Sequence, residues 1–415
     1  MCDYSQINEV SLRLSKQYNS KLRRDGLLIY TEQSPVYTEY IRSIEVKRLL
    51  TLLESKLQTE EYTGKQLPLR WLFVAKIFEQ MLSTSIEEIV DPVLTDPRYT
   101  YNEFMLEEFR DRGLSADILK EMIPQVRLSL KRIAEYVDNY ELIVDRQTTT
   151  RTRGRGRGGR GGRGGRGGRG STVTVTRWRV AYGPSETYIS TDMMNWLRTL
   201  YNAVEDNDPD DTAAFNADLY RMVTRYLTIG NIGTQASAPS QFYNYAVDNL
   251  GVHHECFASP LNANMNSYTS AYPDVDYPFG SLGSFFQLRE IFPDGGSFAA
   301  NPPFLAPIMD SMMLYIVDWM NSTDAPPLSF IVIMPDWTDN NAYNTALDND
   351  HLITYDTVIP KESHRYVLRR LTSDELRSMC DTRLLILQND SGAEQWPVSQ
   401  EQADGLVEAF TAAST

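Results

Sequence analysis

The first third of the chain mixes apolar and polar residues at the spacing of amphipathic helices. Leucines, isoleucines and valines recur every three or four positions over residues 44–57, and residues 67–82 are apolar enough to form a central helix. A further helix is predicted to begin at Ser115, a residue type that caps helices, and to run to Val137. We therefore predict an all-helical domain over residues 1–147.

From residue 237 the pattern changes to helices alternating with short apolar strands. Ser237 is predicted to cap a helix that Gly251 ends, and residues 252–257 form a strand after it. Residues 328–334 are continuously apolar, which is typical of a parallel strand covered on both faces. Two more strands, over residues 364–371 and 383–387, are predicted to be antiparallel and to close the sheet. This pattern predicts an α/β domain over residues 237–400, followed by a tail over residues 401–415 with a short amphipathic helix.

Between these two parts the composition changes abruptly. Residues 151–170 contain eight arginines on a glycine background and no acidic residue, so we predict a disordered segment over residues 148–171. Residues 172–236 form a connecting region, mostly helical, with a strand at its start and an acidic turn at 205–211 between two helices. Arginines on a flexible glycine chain bind phosphates and stack on unpaired bases, which makes the tract a candidate RNA contact; a solvated linker is the alternative.

Composition narrows the function classes. The chain has 415 residues, and no apolar run is long enough to span a membrane. The N-terminus has no basic and apolar segments typical of a secretion signal, so we expect an intracellular protein. Three cysteines and four histidines form neither a disulfide framework nor a zinc signature, and we expect no metal site. The net charge of −15 includes the arginine tract, so a polyanion is expected to meet the chain only locally.

A short loop at the end of a predicted strand carries candidate chemistry; it consists of Asn301, Pro302, Pro303 and Phe304. The prolines fix their own φ near about −65° and favour extended geometry before them, so Asn301 is expected to point out of the strand end. An amide and a free backbone carbonyl can accept the two protons of an exocyclic amino group, while the ring of Phe304 stacks on the base. The loop matches the pattern of amino-methyltransferases. A proline-rich turn without chemistry is the alternative, and four residues do not choose between them.

Further candidate residues are expected to face the same crevice, because a ligand of a doubly wound sheet lies at the carboxyl ends of the strands. The absence of a glycine-rich phosphate loop disfavours nucleotide diphosphates but not S-adenosyl-L-methionine. Trp337 follows the buried strand and is expected to overlook the crevice as a substrate contact. The cofactor candidates are Glu255, Phe257, Ala258, Ser259, Pro260, Asn262, Phe279, Gly280, Ser281 and Asn301.

These motifs occur in the order found in one known family. The chain resembles the phosphorylated-CTD-interacting-factor type of cap-specific adenosine N6-methyltransferase over residues 235–395, on the motifs at 251–262, 279–281, 296–304, 328–337 and 387–390. Before residue 235 the resemblance is architectural only. It implies the fold class α/β, with a Rossmann-like methyltransferase domain preceded by an all-helical domain.

The resemblance also implies a reaction. Family members transfer a methyl group from S-adenosyl-L-methionine to N6 of a 2'-O-methyladenosine that begins a capped transcript. Asn301 and Pro302 would hold the amino group, Phe304 would stack on the adenine, and residues 255–262 with 279–281 would line the cofactor pocket. Capped RNA is the implied partner.

Two alternatives stay open. The same chemistry serves N6-adenine methylation of DNA or of internal RNA, and a catalytically silent RNA-binding protein belongs to a different class. No WW-type segment that would bind phosphorylated peptides is recognised ahead of the helical region, and the arginine tract is a departure from the family. An intact loop at residues 301–304 favours catalysis, because a silent site has no chemical reason to keep an amide, two prolines and a ring in register.

Overall fold

The structure of the protein is a computed structural model that describes residues 35–56, 76, 91–94, 116–152, 172–229, 235–337, 341–368, 375–378 and 380–412. The predicted cap at Ser115 and the Arg-Gly tract from residue 153 lie outside these residues. So does the predicted helix over residues 67–82, apart from Lys76.

Two helices of the N-terminal region pack together, α1 (Val36–Lys56) and α2 (Ala116–Glu135). Their contact is apolar at its centre, where the side chains are fully or almost fully buried, namely Leu49, Leu53, Met122 and Val126. At its edge Arg48 donates to Ser129 Oγ over 2.7 Å. Apolar residues at helical spacing thus bury one face of each helix, as predicted.

A three-stranded antiparallel sheet follows, made of β1 (Leu142–Thr152), β2 (Thr172–Tyr182) and β3 (Ser185–Ser190). The prediction of helix throughout residues 1–147 is therefore wrong for the stretch from Leu142. Leu142 and Val144 pack on the helical core whereas Ile143 between them is 38% exposed, which is the two-residue period of a strand, and β2 pairs with the whole stretch. Thr152 pairs with Thr172, so the Arg-Gly tract connects two strands at their paired ends.

Three helices lead into the α/β part: α3 (Thr191–Ala203), α4 (Thr212–Ile229) and α5 (Ser240–Leu250). The two helices predicted around the acidic turn are confirmed, although β3 precedes them. Ser237 does not cap α5. Pro239 is at that position, and Ser237 instead exchanges backbone hydrogen bonds with Val367. Gly251 ends α5 with a φ of 65°, as predicted.

The remaining elements alternate strands and helices. They are β4 (His254–Ala258), β5 (Tyr268–Ser270), α6 (Pro273–Asp276), α7 (Leu288–Ile291), β6 (Gly296–Ala300), α8 (Ala306–Met320), β7 (Leu328–Pro335), α9 (Asn341–Leu347), β8 (Ile353–Ile359), β9 (Arg365–Val367), β10 (Glu375–Arg377), β11 (Thr382–Gln388), α10 (Asp390–Gln395) and α11 (Gln400–Thr411). Short 3-10 turns cover Tyr277–Phe279, Phe285–Gln287 and Asp350–Leu352.

Six strands form the central sheet in the order β5-β4-β6-β7-β11-β8. The first four are parallel, and β11 is antiparallel to both of its neighbours. The antiparallel closure is confirmed for β11. The strand predicted over residues 364–371 does not join this sheet, because its short described part, β9, pairs with β10 instead. One edge strand of the sheet is β8, whose alternating half-buried and exposed residues are a strand signal that the sequence interpretation missed.

Helices cover both faces of this sheet. Phe298, Phe330 and Val332 face the side of α8, whereas Ala299 and Ile331 face the side of α5 and α11. Because consecutive residues of β6 and β7 are buried on opposite faces, both strands are buried along their whole length and carry few polar side chains, namely Ser297 and Ser329. The predicted fold class is confirmed as α/β with a Rossmann-like sheet. None of the described helices combines the length and apolar character that crossing a membrane requires.

Candidate active site

The candidate site lies where β4 and β6 end side by side. The two strands are parallel neighbours, with Glu255 opposite Ala299. From β4 the chain continues outwards to β5, whereas β6 and β7 extend the sheet in the other direction. The order of strands therefore reverses between β4 and β6, which is the point where ligands of such sheets bind. The structure brings the loops at residues 259–262 and 301–304 to this one edge, as predicted.

The loop after β6 is partly sheltered. The side chain of Asn301 is 8% exposed, Pro302 is buried, and Pro303 and Phe304 are half-buried. The ring of Phe304 meets that of Tyr366 edge to face, with 5.7 Å between their centroids. The ring of Phe304, three residues after Asn301 in the chain, is thus held in its orientation by a second aromatic side chain.

The loop after β4 is a tight turn fixed by its own side chains. The amide N–H of Ser259 donates to Asn262 Oδ1 over 2.7 Å, and its hydroxyl donates to Gln235 Oε1 over 2.7 Å. The indole N–H of Trp196 in α3 donates to the Pro260 carbonyl over 3.1 Å. These bonds preorganise the turn, and the small side chains of Ala258 and Ser259 leave room for a ligand to approach the backbone.

Glu255 supports the site from inside β4. Its carboxylate is 1% exposed and accepts the backbone N–H groups of Asn264 over 2.8 Å and of Met265 over 3.2 Å. Burial raises the pKa of Glu255, and these donors oppose that effect. In this conformation the carboxylate binds the protein's own loop.

Phe257 and Phe279 both pack against aromatic side chains. The half-buried ring of Phe257 stacks on Phe285, with 4.7 Å between centroids. Phe279 is fully buried, and its ring lies 5.8 Å from that of Tyr201 and 6.3 Å from that of Phe215. In this conformation the Phe279 ring belongs to the core against α3 and α4, and it does not present a face to an adenine.

The turn around Phe279 still shapes the edge of the sheet. Gly280 has a φ of 96°, in the left-handed region that favours glycine. Its neighbour Ser281 shares a hydrogen bond of 2.7 Å with Ser270 at the end of β5. The backbone at residues 280–281 is therefore held next to the strand end by a bond between two buried hydroxyls.

Two acidic residues of α6 are engaged with α4. Both carboxylate oxygens of Asp274 accept from Arg225, at 3.0 and 2.8 Å. Asp276 accepts from the Tyr226 hydroxyl over 2.5 Å through Oδ2, while its buried Oδ1 makes no hydrogen bond of standard geometry among the described residues. Burial raises the pKa of Asp276 to about 7.

Arg225 links the α/β domain to the helical region. Its side chain is 1% exposed and also donates to both carboxylate oxygens of Glu39 in α1, each over 2.8 Å. Glu39 further pairs with Arg42, which contacts Asp91 over 2.9 Å. Sequence reasoning missed this ion cluster and had no local signal for it, because Glu39 and Arg225 are 186 positions apart.

Trp337 lies one strand further along the same edge, just after β7. It is half-buried, packs on the α8 side of the sheet and contacts Cys380. The neighbouring Asp336 forms an ion pair with Arg383 over 2.7 Å. The structure thus places Trp337 at the predicted edge, with part of its surface exposed.

Histidine and cysteine do not gather into a metal centre in the described ranges, where no group of three or more His, Cys, Asp or Glu side chains could hold an ion. His254 is fully buried with Nδ1 2.8 Å from Ser267 Oγ. Burial lowers its pKa well below the usual value, so it packs in the core as a neutral ring.

Comparisons with known proteins cover the region that contains these loops. The family model described as "Phosphorylated CTD interacting factor 1 WW domain" matches residues 196–368, which run from α3 to β9 and include both loops. Two curated relatives are each named mRNA (2'-O-methyladenosine-N(6)-)-methyltransferase. The protein from Mus musculus is 31% identical and the one from Homo sapiens 30% identical over 230 residues, which are 52% of this chain. The chain spans 31% of the length of these relatives. The predicted resemblance is confirmed.

Proposed function

We propose that this protein is an S-adenosyl-L-methionine-dependent methyltransferase that acts on N6 of adenosine in RNA. The preferred substrate is the 2'-O-methyladenosine next to an mRNA cap. The observation that carries the proposal is the position of Asn301, Pro302, Pro303 and Phe304 directly after β6, beside the preorganised turn after β4. Both loops lie within the stretch that the family model matches.

The residues at the strand ends fit a methyl donor of this kind. Ala258 and Ser259 permit close approach to the backbone. The Oδ1 atoms of Asn264 and Asp276 are buried acceptors that make no hydrogen bond of standard geometry among the described residues, and ribose hydroxyls and an α-amino group are donors. S-adenosyl-L-methionine, when bound here, supplies an activated methyl group.

The loop after β6 would orient the acceptor. The Asn301 side-chain oxygen and the Pro302 carbonyl accept the two N6 protons, which fixes the amino group and directs its nitrogen lone pair. Phe304 stacks on the base. Positioning is the main contribution of these residues, and the excess proton on N6 leaves after methyl transfer, so no strongly basic side chain is needed.

Capped RNA is the proposed partner, with the Arg-Gly tract as an additional contact. The support for the tract is its chemistry, since guanidinium groups bind phosphates and stack on unpaired bases. Its attachment adds to this, because β1 and β2 pair up to Thr152 and Thr172 and thereby present the tract at one end of an ordered sheet.

The decisive experiment measures transfer of a labelled methyl group by the full chain. RNAs that start with adenosine or guanosine are offered with and without a methylated cap, next to single-stranded DNA of the same sequence. We expect label only on capped RNA that starts with adenosine, at N6 after nuclease digestion. Asn301→Ala should abolish transfer while the protein still binds S-adenosyl-L-methionine, as measured by calorimetry.

The other outcomes separate the alternatives. Equal labelling of capped and uncapped RNA would remove the cap from the proposal. Label on DNA would favour a general N6-adenine methyltransferase, and RNA binding without transfer to any substrate would favour a silent RNA-binding protein. Wild-type activity in Asn301→Ala would overturn the role given to the loop.

A further inference from the structure

A buried tyrosine stands behind the active-site loop. Tyr243 lies in α5, is 2% exposed, and packs in the same cluster as Ala299 of β6. Neighbouring residues of paired strands point to the same face, so Glu255 lies on this face opposite Ala299. Asn301 is two residues beyond Ala299. The helix that carries Tyr243 therefore covers the side of the sheet from which Glu255 and Asn301 project.

The hydroxyl of Tyr243 lies against three polar side chains, those of Glu255, Asn301 and Ser237. It makes no hydrogen bond of standard geometry within the described part of the chain. A buried hydroxyl left in this way costs free energy unless it acquires a partner. Catalytic hydrogen bonds are often long or misaligned without substrate and tighten when the substrate binds.

The proton of this hydroxyl has one strong acceptor. Glu255 Oε2 is occupied by two backbone N–H groups, while Oε1 receives only a long contact of 3.5 Å from Asn264. A carboxylate is a stronger acceptor than a neutral amide or hydroxyl. The Tyr243 hydroxyl therefore donates to Glu255 Oε1 once the contact tightens.

The Tyr243 oxygen is then left to accept a hydrogen bond, and its two remaining polar neighbours, Ser237 and Asn301, each carry a donor. The Ser237 hydroxyl donates to the Ala238 carbonyl over 3.1 Å and accepts from Asn264 over 2.7 Å, so its proton is engaged. The remaining donor is the side-chain NH2 of Asn301. When the NH2 group of Asn301 donates a hydrogen bond to the Tyr243 oxygen, the Oδ1 atom of Asn301 points away from the tyrosine.

This orientation matters because an asparagine amide has nearly the same shape in both directions. With Oδ1 directed at the substrate, the amide accepts an N6 proton. In the flipped state its NH2 faces the NH2 of adenine, and two donors oppose each other. The direction of one amide therefore separates a productive from an unproductive site.

We infer that Tyr243 is a positioning residue that, together with Glu255, fixes the Asn301 side chain with its oxygen towards the substrate amino group. The effect of Tyr243 on catalysis rests on the proposed function. The arrangement of the three side chains is independent of that function. Tyr243 acts through Asn301 and touches neither substrate nor methyl donor.

The first test observes the amide directly. In protein labelled with 15N-asparagine, the NH2 resonances of Asn301 are identified by their loss in Asn301→Ala, and their exchange with water is measured. We expect slow exchange in the wild type and at least tenfold faster exchange in Tyr243→Phe. The matched control is Tyr220→Phe, which removes another buried hydroxyl without a standard hydrogen bond, in a different core cluster, and should leave the exchange unchanged.

The second test is kinetic. Tyr243→Phe should lower kcat at least tenfold, while KM for RNA and the Kd for S-adenosyl-L-methionine stay within threefold of the wild type. Glu255→Gln, which keeps the tyrosine but weakens its acceptor, should change the exchange and kcat in the same direction. Tyr220→Phe should retain wild-type kcat.

The outcomes of the two tests distinguish failure of the inference from failure of the proposed function. Unchanged amide exchange in Tyr243→Phe overturns the positioning role, whatever the activity. A wild type that transfers no methyl group overturns the proposed function, and the exchange data still decide whether Tyr243 holds the amide. A fall in kcat accompanied by an equal loss of affinity for the methyl donor would indicate a structural role and would also overturn the inference.

Discussion

The indole nitrogen of Trp196 and the carbonyl of Pro260 are joined by a hydrogen bond of 3.1 Å between residues 64 positions apart. It ties helix α3 to the turn that follows β4. Trp196 is 5% exposed, so its N–H has little access to water as an alternative partner. The bond therefore fixes the backbone at the place where the methyl donor is proposed to bind.

Replacing this tryptophan tests the coupling. Trp196→Phe keeps an aromatic ring in the core but leaves the Pro260 carbonyl without its donor. We expect the free energy of unfolding to fall by about 1–3 kcal/mol and the Kd for S-adenosyl-L-methionine to rise several-fold. Calorimetric titration and urea unfolding check both. A control is Tyr201→Phe, which alters the same helix five residues further on. An unchanged Kd in Trp196→Phe would contradict the role of the bond.

Replacement of the buried Arg225 is expected to cause a larger loss of stability than Trp196→Phe. Arg225→Met leaves the carboxylates of Glu39 and Asp274 without their common counter-charge, and removal of one partner from a buried ion pair costs about 3–5 kcal/mol. Urea unfolding should show a loss of this size. Asp318→Asn breaks a pair whose acid is 78% exposed and should change stability by less than about 1 kcal/mol. If both substitutions lowered the free energy of unfolding by the same amount, burial would not explain the contribution of Arg225.

The raised pKa of Asp276 predicts that the free energy of unfolding depends on pH between about 4 and 7. Burial raises its folded-state pKa to about 7, against about 3.9 in an unfolded chain. Between these values the folded state holds a proton that the unfolded state has released, so its contribution to stability falls as pH rises from about 4 to 7 and is constant above. Asp276→Asn removes this dependence. Unfolding free energies at several pH values should therefore show a less negative slope in the variant than in the wild type.

The sheet formed by β1 and β2 allows the Arg-Gly tract to be removed cleanly. Because Thr152 and Thr172 are paired, residues 153–171 can be replaced by a short Asn-Gly turn that suits a hairpin. We expect weaker RNA binding, with a salt dependence whose logarithmic slope decreases by about 0.7 for each RNA phosphate that the tract neutralises. Replacing the seven arginines of this segment by glutamine at constant length is the control for charge. An unchanged slope in both variants would exclude the tract as a site of RNA binding.

Local signals in the sequence predicted much of the site. Gly251 marks a helix end, because glycine adopts the positive φ that a helix end needs. The prolines after Asn301 mark a strand end, because proline fixes its own φ and has no backbone N–H to continue the strand. The continuous apolar run of β7 likewise predicted burial on both faces. These features depend on neighbours in the chain, and the structure has them where the sequence indicated.

Features that depend on distant residues could not be predicted in the same way. Nothing near Phe279 shows that its ring packs between Tyr201 and Phe215, and nothing near Arg225 identifies Glu39 as its partner. The face that Glu255 shares with Tyr243 follows only from the pairing of β4 with β6. Such relationships arise from the order of strands and the placement of helices, which a single sequence does not display.

The cluster around Arg225 also limits how the molecule can move. A hinge motion that separated α1 from α6 would break the hydrogen bonds of Arg225 with either Glu39 or Asp274, and with them one half of a largely buried ion cluster. A hinge opening between the helical region and the α/β domain is therefore unfavourable. Ligands are expected to enter along the loop edge of the sheet, with the helical region and the α/β domain moving as one body.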